Sequence, residues 1–373
     1  MLKVFRYRLY PTKGQKKEIN KTLELCRWTY NETLALRKNA WESEQRNINY
    51  FYSKKQIPIW KKEKSELNTV HSQVLQEVIK RVDLAFQAFF RRVKAGEKPG
   101  HPRFKGYGRY DSFTYTQFGF YLHSDKLTLS KIGDIKLKLP RPIEGEIKRL
   151  NVRKSPTGKY FASCLIETES PLTLQKTGLS IGIDVGISNY ITLSEGQHIP
   201  NPRFFVTEEK NLVKGQRKLS KAEKGTALLN KVLKVVQHVH ERIANKRKYF
   251  AHKVSLNLVK AYDLITFEDL NISGMTQNHQ LAKHIADVAW NQLIILTSYK
   301  AEWAGKRVEL VNPYNTPQMC SRCSEIVKKD LSERIHICPY CGLTLDRDHN
   351  AAINILRLGL QSVRKTDRCP LLQ

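Results

Sequence analysis

Acidic residues are scarce in this sequence. Its 373 residues carry 35 Asp and Glu against 64 Lys and Arg, a formal net charge of +29. An excess of that size repels itself unless a polyanion neutralises it, and nucleic acid is the usual one. The charge is spread over most of the chain. It is not gathered on one amphipathic helix, which argues against a membrane-surface protein. Long apolar runs are missing too. No stretch approaches the ~18 consecutive apolar residues of a membrane span. The opening MLKVFRYRLYP has arginines where a secretory signal needs an apolar core. The expectation is a cytoplasmic chain that acts at the nucleoid, with no membrane partner. Internal repeats are absent, as is any obvious helix-turn-helix. Cysteine is sparse and unevenly placed. Four of the seven form two close pairs, Cys320/Cys323 and Cys338/Cys341, while Cys26, Cys164 and Cys369 are scattered. That is the arithmetic of a metal site and not of a disulfide framework.

What is present changes character along the chain. Residues 3–9 alternate with period 2 and predict a strand. After Pro11 and Thr12 a helix is expected to about Arg37, with Ile19, Leu23, Cys26 and Tyr30 on its apolar face. Residues 40–68 read as polar, aromatic and irregular. From Val70 to Val93 helical spacing returns, with Val70, Val74, Val78, Val82, Phe86 and Phe89 in one stripe and Gln73, Gln76 and Lys80 on a polar face. A Gly/Pro/basic loop follows, whose Arg103 and Lys105 are further candidates for nucleic-acid contact. Residues 111–170 give short β-type runs that predict a small antiparallel barrel, completed by the first strand, with the helices as an insertion. From about 178 the pattern is mixed α/β. LSIGIDVG, YITLSEG and HIPNP predict three strands. Residues 209–261 predict helix and carry 14 Lys or Arg against three acids. AYDLITFEDL predicts a buried strand, residues 284–305 one amphipathic helix, and RVELVNP another strand. The last helix is expected from about His349 to Leu358.

Three acids stand out in the α/β half. Asp184 lies inside an apolar strand, Glu268 ends a second one, and Asp348 opens the last helix. An unpaired carboxylate in an apolar strand is costly unless a partner or metal compensates it. In an RNase H-like sheet, strand ends and a C-terminal helix can converge, and ligands bind at the carboxyl ends of strands. Three carboxylates there suit two Mg²⁺ ions roughly 3.5–4 Å apart, which activate water and stabilise a leaving oxygen of a phosphodiester. Asp184 would bridge the ions, with Glu268 and Asp348 completing the set. Asp269 and Asp346 compete with their neighbours for those roles, and Asp348 could serve only as a helix N-cap.

The pattern C320-S-R-C323 … C338-P-Y-C341 predicts one structural Zn²⁺ held by four cysteines on two turns, with a short hairpin between the pairs. No coordination position remains open for catalysis. His336 is expected at the surface. Arg217, Lys218, Lys221, Arg242, Lys246 and Arg247 suit contacts with phosphates. Gln73, Gln76 and Lys80 are placed to read base edges, or are simply solvated. Phe113, Tyr115, Phe118 and Phe120 read more readily as barrel core than as stacking platforms.

Taken in order, IGIDVGISNYITLSEG, FEDLNISGM, CSRC…CPYCG and LDRDHNAAINIL resemble the TnpB family of transposon-encoded RNA-guided DNA nucleases, itself related to the type V CRISPR effectors. FRYRLYPTKGQ, LCRWTYNETL and GHPRFKG extend the resemblance over nearly the whole chain. It implies a multi-domain α+β protein: a wedge-type β-barrel (1–10 and 105–175), a helical recognition region inserted in it (11–104), a RuvC/RNase H-like nuclease domain (176–314 and 346–360), a zinc ribbon (315–345) inserted in that, and a flexible tail (361–373). The three RuvC acids fall on Asp184, Glu268 and Asp348. The resemblance also implies a guide RNA from the transposon end, with one chain per guide RNA. Double-stranded DNA would be cut beside a short adjacent motif, and one site would cut both strands in turn. Rival readings are a nuclease-silent RNA-guided binder and a strand-transferring transposase.

Overall fold

The computed structural model describes residues 2–168, 174–314, 316–330 and 333–367, with only the backbone considered for 273, 279–281 and 365–367. The chain divides into two compact units, Met1–Ser170 and Pro171–Gln373.

The first unit opens with β1 (Leu2–Tyr10), followed by α1 (Lys13–Glu44), α2 (Tyr50–Lys55), α3 (Ile57–Glu63), a 3₁₀ turn (Ser65–Thr69) and α4 (Ser72–Lys94). Six strands complete it: β2 (Ser112–Tyr115), β3 (Phe120–His123), β4 (Lys126–Leu129), β5 (Gly133–Lys138), β6 (Glu146–Lys154) and β7 (Tyr160–Glu167). Thr12 starts α1 through a capping box, its hydroxyl accepting from Gln15 N–H while the Gln15 side chain accepts from Thr12 N–H. The helix runs past the expected Arg37 and stops where Gln45 turns left-handed at φ 49°. The seven strands are antiparallel in the order β2-β6-β7-β1-β5-β4-β3. The sheet is nearly a barrel: β2 and β3 lie at its two ends, not paired with each other among the described residues, and Tyr115 bridges them by packing on Phe120 and donating to Ser130 O at 3.0 Å. Period-2 burial puts Tyr160, Ala162, Cys164 and Ile166 of β7 inside, in one core with the α1 and α4 stripes. The irregular segment expected at 40–68 is instead largely helical. Asn49 caps α2 by accepting from Tyr52 N–H, and Ile57, Trp60 and Leu67 are buried in that same core.

The second unit begins with β8 (Ser180–Val185), β9 (Asn189–Leu193) and β10 (His198–Pro200), then α5 (Phe204–Lys221) and α6 (Ala227–Ala261). Next come β11 (Leu264–Glu268), α7 (Ile272–Met275), α8 (His279–Val288), α9 (Trp290–Trp303) and β12 (Arg307–Val311). A hairpin of β13 (Ile335–Ile337) and β14 (Thr344–Asp346) leads into α10 (Arg347–Asp367). The sheet order is β10-β9-β8-β11-β12, with β8, β11 and β12 mutually parallel and β9 and β10 antiparallel. The single helix expected over 284–305 is broken at Ala289, which sits at φ 55°. The last helix outruns Leu358 and extends to Asp367, so residues 361–367 are helical and not a flexible tail; 368–373, with Cys369, lie outside the described residues.

Register decides which side chains meet. Gly182 pairs with Thr266 across β8 and β11. Both face α10: a Cβ on Gly182 would stand 2.2 Å from Ala352 O, and one on Gly359 would stand 2.1 Å from Thr266 Oγ1. The alternate residues Ile181, Ile183, Ile265 and Phe267 belong to a core shared with α6, α8 and α9. The sheet is therefore sandwiched between helices, as a parallel sheet requires. The close approach of α10 depends on Gly182. Gly182→Ala should cost about 2–3 kcal/mol by overpacking, lowering the melting temperature by roughly 4–10 °C. Gly14→Ala, which meets nothing within 4 Å, should leave it within about 2 °C. Equal melting temperatures for the two variants would refute the glycine contact as the helix's seat.

Candidate functional site

The same alternation delivers the acids. Asp184 is two residues beyond Gly182, and Glu268 two beyond Thr266, so both leave their strands on the α10 side. Asp348 sits in the first turn of α10. All three line one cavity of about 590 Å³, with Lys329, Arg334 and Arg347 also on its wall. Asp184 keeps some surface toward the cavity, and Glu268 is 8% exposed. Burial, then the charges of Glu268 and Asp348, raise the Asp184 carboxyl well above the usual range. Burial also raises Glu268, opposed by the hydroxyl of Thr316, which donates to Glu268 Oε1. Asp348 is held by Arg347, whose Nε and Nη2 donate to Oδ1 at 3.2 and 3.1 Å. Arg334 lies 3.6 Å from Oδ2 and donates to Ser188 Oγ at 3.2 Å.

The competing acids Asp269 and Asp346 are placed differently. Asp269 is exposed and outside this cavity. Asp346 is the helix cap, its Oδ1 accepting from the N–H groups of Asp348 and His349 at 3.0 Å, which leaves Asp348 facing the cavity.

The four cysteines form a second constellation. Cys320 and Cys341 sulfurs stand 3.6 Å apart, as do those of Cys323 and Cys338. Among the described residues this is the group whose ligand atoms all lie within 4.8 Å of one another; the three carboxylates share a cavity without gathering so tightly. A tetrahedral S₄ site with metal–sulfur bonds of about 2.3 Å needs sulfurs roughly 3.8 Å apart, so the cluster fits Zn²⁺. Among the described residues between the pairs no hairpin is formed. The β13–β14 hairpin instead flanks the second pair, and an isolated bridge, Met319 to Ile326, flanks the first. His336, expected at the surface, is fully buried because its strand pairing turns it inward, where Nδ1 meets Lys329 Nζ.

Residues not singled out by the sequence connect the two constellations. Asn350 donates to Met319 O at 2.8 Å and accepts from Ser321 N–H at 2.9 Å. Asn354 donates to Thr316 O at 2.9 Å and to Met319 O at 2.6 Å. Both are fully buried. Two asparagines one turn apart on the inner face of LDRDHNAAINI were the available signal, since buried amides need partners. Trp290, a second omission, closes the cavity wall and donates to Gly186 O at 3.3 Å.

The basic candidates divide. Arg217, Lys218 and Lys221 are exposed and line a groove of about 690 Å³ along α5. Arg242 and Lys246 instead reach the buried Glu208 at 3.3 and 3.2 Å, and Arg247 pairs with the buried Asp287 at 2.7 Å. Their charge was expected to be free; it is committed to tying α6 to α5 and α8, because those buried acids need counter-ions. Gln73 is likewise engaged, accepting from Phe118 N–H at 3.1 Å, so a freely solvated face is not its setting. Gln76 borders a cavity with Lys54, Lys55 and Lys61. Lys80 and Arg103 are exposed, and the exposed Lys105 lies over the Tyr30 ring while its backbone is held by Asn31. Phe113 and Tyr115 are core, Phe120 is partly buried, and Phe118 is 71% exposed.

Three family models match the chain: "Helix-turn-helix domain" over 1–46, "Probable transposase" over 163–279, and "Cas12f1-like, TNB domain" over 290–355. The first spans β1 and the single helix α1, so no helix-turn-helix is formed there. A Streptomyces pristinaespiralis protein named "Putative RNA-guided DNA endonuclease" is 34% identical over 96% of this chain and 89% of its own length. InsQ of Escherichia coli (strain K12), of the same description, is 30% identical over 96% of this chain and 92% of its own. A solved Cas12f1 chain, from a complex with sgRNA and target DNA, aligns with 95% of this chain and 99% of its own at 14% identity and a TM-score of 0.37.

Proposed function

Because the chain belongs to the TnpB family, related to Cas12f, we propose that it is an RNA-guided DNA endonuclease whose active site is formed by Asp184, Glu268 and Asp348. The observation that carries this reading is their convergence on one cavity, with Asp184 pushed far from its ordinary ionisation by burial and by the other two acids. The donor set suits two Mg²⁺ ions: hard carboxylate oxygens of like charge gathered on one largely buried cavity. When bound, such a pair supplies an activated water and stabilises the leaving oxygen of a phosphodiester. Asp184, whose carboxyl feels the charges of both other acids, would be the ligand shared by the two ions. Thr316 orients Glu268, and Arg347 with Arg334 orients Asp348. Lys329, Arg334 and Arg347 on the cavity wall are placed for contact with a DNA backbone.

In this reading the four-cysteine module (315–345) is a structural zinc ribbon. The wedge (1–10 and 105–175), nearly all of it in the first unit, and the recognition region (11–104) hold the guide RNA and read the motif beside the target. The RuvC-type domain comprises 176–314 and 346–360. The guide derives from the transposon end, with one chain per guide. The test is to purify the chain from its own locus, sequence the RNA that accompanies it, and challenge a plasmid carrying the matching site. Guide-dependent cleavage in Mg²⁺ is expected, falling at least ~10³-fold in Asp348→Ala. Guide-dependent binding without cleavage in any divalent metal would establish a silent binder, and joined strand products a transposase.

A further inference from the structure

The first unit contains an aromatic cavity that the nuclease reading leaves unused. It lies between the C-terminal turns of α1 and α4 and measures about 590 Å³, within the range of ligand pockets. Ile48 and Phe86 form a buried floor. His101 stands edge-on to Phe86 and Phe89, at 5.5 and 5.4 Å between centroids. Trp41 and Phe90, at 54% and 52% exposed, leave large ring surfaces open on the wall. Two large aromatics open to water around a preformed cavity mark a binding site more than a packing accident.

The surrounding charge identifies the occupant. Arg37, Lys38, Arg46 and Arg92 each pair with an acid: Asp83, Glu42, Glu44 and Glu97. The exposed Arg91, Lys94, Lys98 and Arg103, just after the α4 aromatics in the chain, have no acid partner among the described residues. A surplus of cations within a few residues of Phe90 and His101 in the chain, with open π-faces on the cavity itself, suits a polyanion that carries aromatic rings. In a duplex those ring faces are already stacked. We propose that this cavity takes one or two unstacked nucleobases of a single-stranded nucleic acid, stacked against Trp41 and Phe90. The proposal rests on the nucleic-acid reading of the chain but not on its cleavage chemistry.

The test uses the full-length protein freed of bound RNA, with a labelled single-stranded RNA and the DNA of the same sequence as probes. Trp41→Ala and Phe90→Ala should each weaken binding about 5- to 100-fold, the range for loss of one base–aromatic stack. The dependence on salt should stay parallel to wild type, because no phosphate contact is lost. Trp41→Phe should restore most of the affinity. A larger effect on RNA assigns the pocket to the guide, and a larger effect on DNA assigns it to a displaced strand. Unchanged affinity for both probes would overturn the proposal, as would a loss that Trp41→Phe fails to rescue or that accompanies a lowered melting temperature. Guided plasmid cleavage, measured in parallel, separates failure of the pocket from failure of the nuclease reading.

Discussion

Asp184→Asn is expected to make the metal-free protein more stable while destroying cleavage. Burial and two neighbouring acids disfavour the Asp184 carboxylate. An isosteric amide removes that repulsion and keeps the shape. A gain of about 2 kcal/mol is expected from relieving one buried charge, which corresponds to a melting temperature roughly 4–8 °C higher. Its pH dependence has a definite sign. Both Asp184 and Glu268 have folded-state values raised above their unfolded ones. The fold therefore binds more protons than the unfolded chain, and metal-free stability falls as pH rises from the ordinary carboxylate range through the raised values. The variant should show a shallower fall over that window. Mg²⁺ should reverse the order, stabilising wild type and not the variant, because a cation replaces the missing proton. Calorimetric scans of the zinc-loaded protein with and without Mg²⁺, run from the ordinary carboxylate range upward in pH, test this. A destabilised Asp184→Asn in metal-free buffer would contradict the charge-repulsion account.

Removing the zinc site should have the second large effect, and at a distance. The sulfur geometry fits one Zn²⁺ per chain, and such sites contribute on the order of 10 kcal/mol to folding their module. Cys320→Ala and Cys341→Ala should each bind less than about a tenth of the wild-type zinc by elemental analysis. Thr316 and Met319 lie just before Cys320, and their carbonyls are held by Asn350 and Asn354 of α10. Thr316 in turn orients Glu268. Loss of the cluster should therefore lower cleavage by about 10- to 100-fold or more, as loss of an orienting shell does. Zinc-free protein that still cleaves at the wild-type rate would show the two constellations to be independent.

The sequence was most legible where chemistry demands particular residue types. Asp184 in an apolar strand, Asp348 at a helix start and two CxxC turns each break the local pattern, so they stand out without knowledge of the fold. Elements made by tertiary contact were less visible. The segments now seen as α2 and α3 carry few periodic apolar residues, and Ile57 and Trp60 find their core only once α1 and α4 are in place. The break at Ala289 has no Gly or Pro to announce it; docking of Trp290 on Gly186 O accompanies it. Arg242, Lys246 and Arg247 read as a phosphate-binding stripe because Glu208 and Asp287 lie about 34 to 40 residues away in sequence. His336 read as exposed because nothing in a three-residue strand reveals which face turns inward.

The central claim is that three carboxyl groups on β8, β11 and α10 form one shared divalent-cation site. Counting Mn²⁺ bound to the zinc-loaded protein by electron paramagnetic resonance tests it most directly. Two ions per chain are predicted for wild type, close enough to couple magnetically at the separation of about 4 Å that a two-metal site requires. Asp184→Asn should abolish the coupled signal. Uncoupled binding that survives in Asp184→Asn, or no binding by wild type, would contradict the account.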